Sequence, residues 1–248
     1  MSNFQIFNDA EIASFRTGGM ILRQCLEMLR PQVKEGIRMI DLDRLAEEFI
    51  RDHGGLPAFK GYHDFPATLC TSVNEECVHG IPGERVLKNG DIVSLDCGVI
   101  YDDLYTDACI SVGVGHISRE AQNLLSVTAD ALDQAVQVLK PGVRVGDLSS
   151  AIQKVVERAG YVPVRSLTGH GLGHTLHQFP DIPNFGRAGT GPVFPVHTVV
   201  AVEPIVSISA RDVRGMNDGW TLVTEDGSLS AHFEHTLLTT ENGCEIIA

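Results

Sequence analysis

With 248 residues, 43% of them hydrophobic, the chain can bury a sizeable core and has an ordinary globular composition. Its formal charge of −13 argues against a nucleic-acid backbone or an anionic membrane as principal partner, since both reward clustered Lys and Arg. No apolar run approaches the ~20 residues of a spanning helix, and the opening MSNFQIFNDAEIASF is acidic where a signal peptide is basic, so the cytoplasm is the expected compartment.

Residues 9 to 29 are predicted as an amphipathic helix opened by Asp9, and 41 to 53 as another, with Leu42, Leu45, Phe49 and Ile50 at helical spacing behind Asp41. Between 67 and 113 the runs ATLCTSV, DIVSLDCGVI and DACISVGV, separated by turn residues, read as an antiparallel sheet. A long helix over 118 to 139, capped by Ser118, and a second over 147 to 159, stopped by Gly160, follow. Strands resume at 162 to 167, 197 to 208, 220 to 224 and 232 to 239. The six cysteines (25, 70, 77, 97, 109, 244) lack a CxxC pair and suit free thiols in a reducing compartment.

The order helix, helix, strands occurs twice. KEGIRMIDLDRLAEEFIRDHG from Lys34 aligns without a gap on KPGVRVGDLSSAIQKVVERAG from Lys140, and one further residue of offset brings DIVSLD, ending at Asp96, over TVVAVE, ending at Glu203. The repeat implies two related α+β halves, about 1–115 and 116–248, with a site at their junction fed by equivalent strand ends.

Asp96 and Asp107 lie eleven residues apart on strands that form a hairpin, so their side chains can converge on one face. Two buried carboxylates side by side persist if they share a proton or if a cation neutralises both. Asp102 and Asp103, at the turn, read as solvated. In TGHGLGHTLHQFPDIPNFG, His170 lies between glycines, which let backbone approach a ligand closely, while His174 reads as structural. His170 and His177 could serve one ion and one substrate. Glu203 in VVAVEP and Glu234 in SAHFEH interrupt apolar strands, where an unpaired charge is costly, and basic residues are scarce nearby. If these residues converge, four carboxylates and one imidazole carry a charge near −4, which two divalent ions would balance. Such an oxygen-rich set suits Mn²⁺, Fe²⁺ or Co²⁺ at least as well as Zn²⁺.

These motifs (SVNEECVHGIPG around His79, Asp96 and Asp107, GHGLG at His170, VEP at Glu203, FEH at Glu234) resemble those of the type I methionine aminopeptidases of the creatinase-like pita-bread metallopeptidase family, over nearly the whole chain. The resemblance implies a single catalytic domain, residues 1–248, with a curved antiparallel sheet flanked by helices and an internal pseudo-twofold. It implies a dinuclear centre in which Asp96 serves one ion, His170 and Glu203 the other, and Asp107 and Glu234 bridge. A hydroxide carried between the ions would attack the first peptide carbonyl and remove the initiator methionine from nascent proteins with a small second residue. Glu203 would also relay the proton, and His79 and His177 would bind substrate, His177 stabilising the oxyanion.

Tyr62, His63, Phe65, Cys70 and Trp220 fall at positions resembling the family's methionine pocket, where aromatic edges and a thiol suit a thioether. Phe59 and Val78 stand where cysteines are frequent, and Gln178 where glutamate is usual, so selectivity can differ. The expected partners are N-terminal Met peptides of nascent proteins, met at the ribosome, and the expected state is a monomer. A proline-specific aminopeptidase or dipeptidase of the same fold would share the five ligands but usually carries an added N-terminal domain. A binding protein that has lost catalysis is disfavoured, since all five ligand positions, His79 and His177 are present.

Overall fold

The computed structural model describes residues 3–248. Helix α1 (Asp9–Leu29) is capped one residue before the predicted Asp9. The Asn8 side chain accepts from the Ala10 and Glu11 amides, and Glu11 returns a bond to the Asn8 amide, a reciprocal box that outcompetes Asp9. Its apolar stripe, including Phe15, Leu22, Leu26 and Leu29, is buried. At Gly19 the helix runs against the Ile247 backbone with no room for a Cβ. Helix α2 (Met39–Asp52) begins two residues before the expected start and buries Leu42, Ala46 and Ile50. Helix α3 (Arg119–Val138) is capped by the Ser118 side chain, as expected. Helix α4 (Val145–Arg158) gives way to Gly160, whose φ of +86° suits a residue without a Cβ.

The first sheet is built on Ile92–Tyr101, paired along its length with Leu104–Gly113 and on its other edge with Leu69–Val73 and Leu56–Pro57. Asp102 and Asp103 form the two-residue turn, both exposed and both at positive φ (50° and 60°), the backbone that matches strand twist. The strict alternation of IVSLDCGV sorts this strand. Val93, Leu95, Cys97 and Val99 join the core under α1 and α2, leaving Ser94, Asp96 and Gly98 on the opposite face. The second sheet runs in the order Gly243–Ile246, His235–Thr240, Val199–Val202, Thr168–Gly171, Gln178–Pro183. Val200, Val202 and Leu237 pack in the core of α3 and α4.

Several predicted strands are interrupted. The run 197–208 is two strands, Val199–Val202 and Ile205–Ser207, because Pro204 has no N–H and the Glu203 carbonyl bonds Asn184 Nδ2 instead. The run 232–239 divides into Ser230–His232 and His235–Thr240 around Glu234. Of 162–167 only Val162–Pro163 pairs, and 220–224 pairs at Leu222–Thr224. Thr168–Gly171 and Gln178–Pro183 are strands that the sequence pattern did not single out. Glu203 and Glu234 thus sit at breaks between strands rather than inside them.

The internal repeat is reproduced pair by pair. Arg38 bridges Val86 and Arg144 bridges Val193. The Gly36 amide donates to Leu87 O and the Gly142 amide to Phe194 O, both 2.9 Å, and both glycines have φ near +90°. Pro57 pairs with Val99 and Pro163 with Val206. The two sheets are joined where Cys109 and Glu234 exchange backbone hydrogen bonds (3.3 and 3.0 Å). Beside them the Asp107 amide donates to Thr236 Oγ1 (2.8 Å), which donates back to the Asp107 carbonyl (2.7 Å).

Candidate metal centre and cavity

At this seam a cavity of about 280 Å³ opens, with Asp96, Asp107, His170, Glu203 and Glu234 all on its wall. Asp96 lies opposite Cys109 and Asp107 opposite Gly98, so the hairpin register puts both carboxylates on one face, two positions apart. His170 stands on Thr168–Gly171. Its Nδ1 lies 3.0 Å from the Gly171 carbonyl, the bond that leaves Nε2 with its lone pair directed at the cluster, 3.5 Å from Glu203 Oε1. The flanking glycines serve neighbouring strands rather than a ligand: a Cβ on Gly169 would strike the Ala201 carbonyl and one on Gly171 the Phe179 backbone.

One donor atom each from Asp107, His170 and Glu234 lies within 4.8 Å of the others. Buried oxygens of Asp96 (Oδ1), Asp107 (Oδ1) and Glu234 (Oε1) have no hydrogen-bond partner. Among the described residues, the ion pairs of Lys and Arg involve none of the four carboxylates. Burial pushes the Asp96 carboxyl up to about 7. Burial first, and neighbouring carboxylates second, hold Asp107, Glu203 and Glu234 well above the usual range. Burial also lowers His170 to about 3, keeping the imidazole neutral and able to coordinate. Orphaned buried oxygens, mutually repelling carboxylates and a neutral imidazole fit divalent cations, which would reverse these shifts.

The rest of the cavity is mostly apolar. Phe59, Tyr62, Phe65, Cys70, Val78, Leu176 and Trp220 line it, with Phe65 and Trp220 edge to face at 5.1 Å. Phe59 packs over Gly98, where a Cβ would come within 2.8 Å of its ring. Cys70 is buried opposite Asp96 in the sheet register, and all six cysteines are free thiols. His79, at φ +59°, and His177 also line the cavity, and Tyr62 Oη lies 3.0 Å from His177 Nδ1. His63 is exposed and outside the wall, edge-on to Tyr62 at 4.4 Å. His174 is exposed too, 3.3 Å from Glu11 Oε1 and from the Asp103 carbonyl. Gln178 accepts from Thr175 Oγ1 at 3.2 Å and does not line the cavity. Sequence reasoning passed over His232, which lines the cavity beside Glu234. The signal was there, since SAHFEH places it two residues from a candidate ligand.

A model of metallopeptidase family M24 matches residues 13–241, and the chain belongs to that family. It is 45% identical over 240 residues to the methionine aminopeptidase of Clostridium perfringens, which spans 97% of this chain and 96% of the relative. The solved methionine aminopeptidase of Thermotoga maritima superposes with a TM-score of 0.98 at 42% identity, over 99% of both chains. The prolidase of Pyrococcus furiosus shares the fold at a TM-score of 0.78 and 21% identity, over 98% of this chain but 64% of its own. Among the described residues no helix is long and apolar enough to cross a membrane.

Proposed function

We propose that the chain is a methionyl aminopeptidase, a metal-dependent hydrolase that removes N-terminal methionine, with residues 1–248 acting as one catalytic domain. The observation that carries this is the convergence of three buried carboxylates and the mostly buried Glu203, none with a Lys or Arg partner, and one neutral imidazole beside an apolar cavity. Asp96, Asp107, His170, Glu203 and Glu234 would hold two divalent ions, the number that offsets a charge near −4, with Mn²⁺, Fe²⁺ or Co²⁺ suited to the oxygen-rich set. When bound, such ions supply Lewis acidity and an activated water. Glu203 would serve as the proton carrier there, accepting a proton at its carboxylate and passing it to the leaving amine. With Tyr62 Oη, 3.0 Å from His177 Nδ1, acting as the donor, Nε2–H would face the carbonyl oxygen, and charge developing there would be stabilised by that donor and by His79. Phe65, Cys70, Trp220 and Tyr62 take the methionine side chain, with Phe59 narrowing the wall.

The activity fits soluble, cytoplasmic work on nascent chains near the ribosome as a monomer. The experiment compares hydrolysis of Met-Ala-Ser with that of an Ala-Pro peptide, with and without chelator. Methionine release that chelation abolishes and Mn²⁺ or Co²⁺ restores is expected, and preference for the proline bond would overturn the reading.

A further inference from the structure

His232 ends the strand Ser230–His232, is 2% exposed, and lines the seam cavity. Its backbone is pinned from the other half. Ser111 Oγ donates to the His232 carbonyl at 2.8 Å and accepts from its amide at 3.0 Å, and Cys109 Sγ approaches the same carbonyl at 3.5 Å. The ring, by contrast, has neither nitrogen in a hydrogen bond. Nε2 lies 3.6 Å from Glu234 Oε2 and 3.8 Å from Glu203 Oε2. Each separation is under roughly 1 Å longer than an ordinary N–H···O bond.

We infer that His232 is a positioning residue that presents Nε2–H to Glu203 and Glu234 and orients both carboxylates for the ions. The inference rests on the metal-centre reading above. Glu203 then has an imidazole at each oxygen, His170 by Oε1 and His232 by Oε2. The two are not equivalent. His170 shares with Asp107 and Glu234 the group of donor atoms within 4.8 Å, whereas His232 approaches two carboxylates of different residues through one nitrogen. That is where a hydrogen-bond donor to ligating carboxylates belongs, and outer donors of this kind are worth about 10- to 100-fold in metal affinity. The Ser111 contacts anchor the backbone from which the ring projects toward the carboxylates.

The test titrates Co²⁺ into the metal-free full chain by calorimetry and follows the visible absorption of the bound ion, for the wild type and for His232→Gln, His232→Leu and His232→Asn. Thermal unfolding of each metal-free variant checks folding, and the shorter polar Asn serves if Leu does not fold. His232→Gln keeps an N–H at similar reach and is expected to bind within about 3-fold of wild type with the same spectrum, while Leu and Asn bind about 10- to 100-fold more weakly. Wild-type affinity in the Leu and Asn variants would overturn the role of His232 alone. A spectrum altered in His232→Gln, with affinity as low as in Leu, would make His232 a ligand and overturn the donor role. A wild-type chain that binds no Co²⁺ would overturn the metal centre and this inference together.

Discussion

The two halves share a frame and differ in what they hang on it. Gly36 and Gly142 make the same turn, Arg38 and Arg144 the same bridge, and Pro57 and Pro163 the same edge contact. Yet the first half supplies most of the apolar wall (Phe59, Tyr62, Phe65, Cys70), while the second supplies His170, His177, His232 and both glutamates. Even equivalent helix positions diverge. Asp43 accepts from the Thr68 and Leu69 amides, tying α2 to the strand that carries Cys70, whereas its counterpart Ser149 bonds back to Val145 within α4. The repeat fixes backbone, and the chemistry follows from what each copy was free to change.

On that division, Glu203 in the second half bears on kcat and the aromatic wall of the first half on recognition. Glu203→Gln is expected to lower kcat on Met-Ala-Ser by about 10²- to 10⁴-fold, measured at saturating substrate and metal. Phe65→Ala, which opens the apolar wall, raises KM by about 10-fold or more with a smaller change in kcat, and a kcat-only effect would break the comparison. Chelation removes what ties the halves together. At metal concentrations near 100 times Kd the lost stabilisation is about 2.7 kcal/mol for each ion, a fall in Tm of roughly 5 to 10 °C per ion for a chain of this size, read by calorimetry with and without chelator. Asp43→Ala should cost about 1–3 kcal/mol of stability, and Ser149→Ala under about 1, by denaturant unfolding, since only the first leaves the buried Thr68 and Leu69 amides without their acceptor. The smallest effect is His174→Ala, whose exposed ring meets Glu11 and Asp103 outside the cavity and which should keep most activity in the same peptide assay.

Much of this was legible because the same residues solve local and global problems. Asp96 stands out in IVSLD, and strict alternation does place it opposite the core face. The repeat was readable since turn glycines and bridge residues recur at fixed offset. The strand breaks were not readable. A period-two pattern runs straight through VVAVEPIVS, and only the bond from Asn184 to the Glu203 carbonyl, made in the folded chain, shows why pairing stops there. The short strand carrying His170 was hidden by its glycines, which lower strand propensity while permitting the close packing of Ala201 and Phe179. Expecting His63 in the pocket failed because the left-handed backbone at 63 and 64 turns that side chain outward while Tyr62 stays on the wall.

The reciprocal bonds between Asp107 and Thr236 connect positions 129 apart in sequence. Closing a loop of that length costs more entropy than any local pairing, and non-local contacts of this kind slow folding. The carboxylates proposed to hold the ions come from both sides of that contact, so no half-finished intermediate carries the complete proposed set. Metal uptake is therefore a readout of finished folding, and hydrolytic capacity is withheld until the molecule is whole.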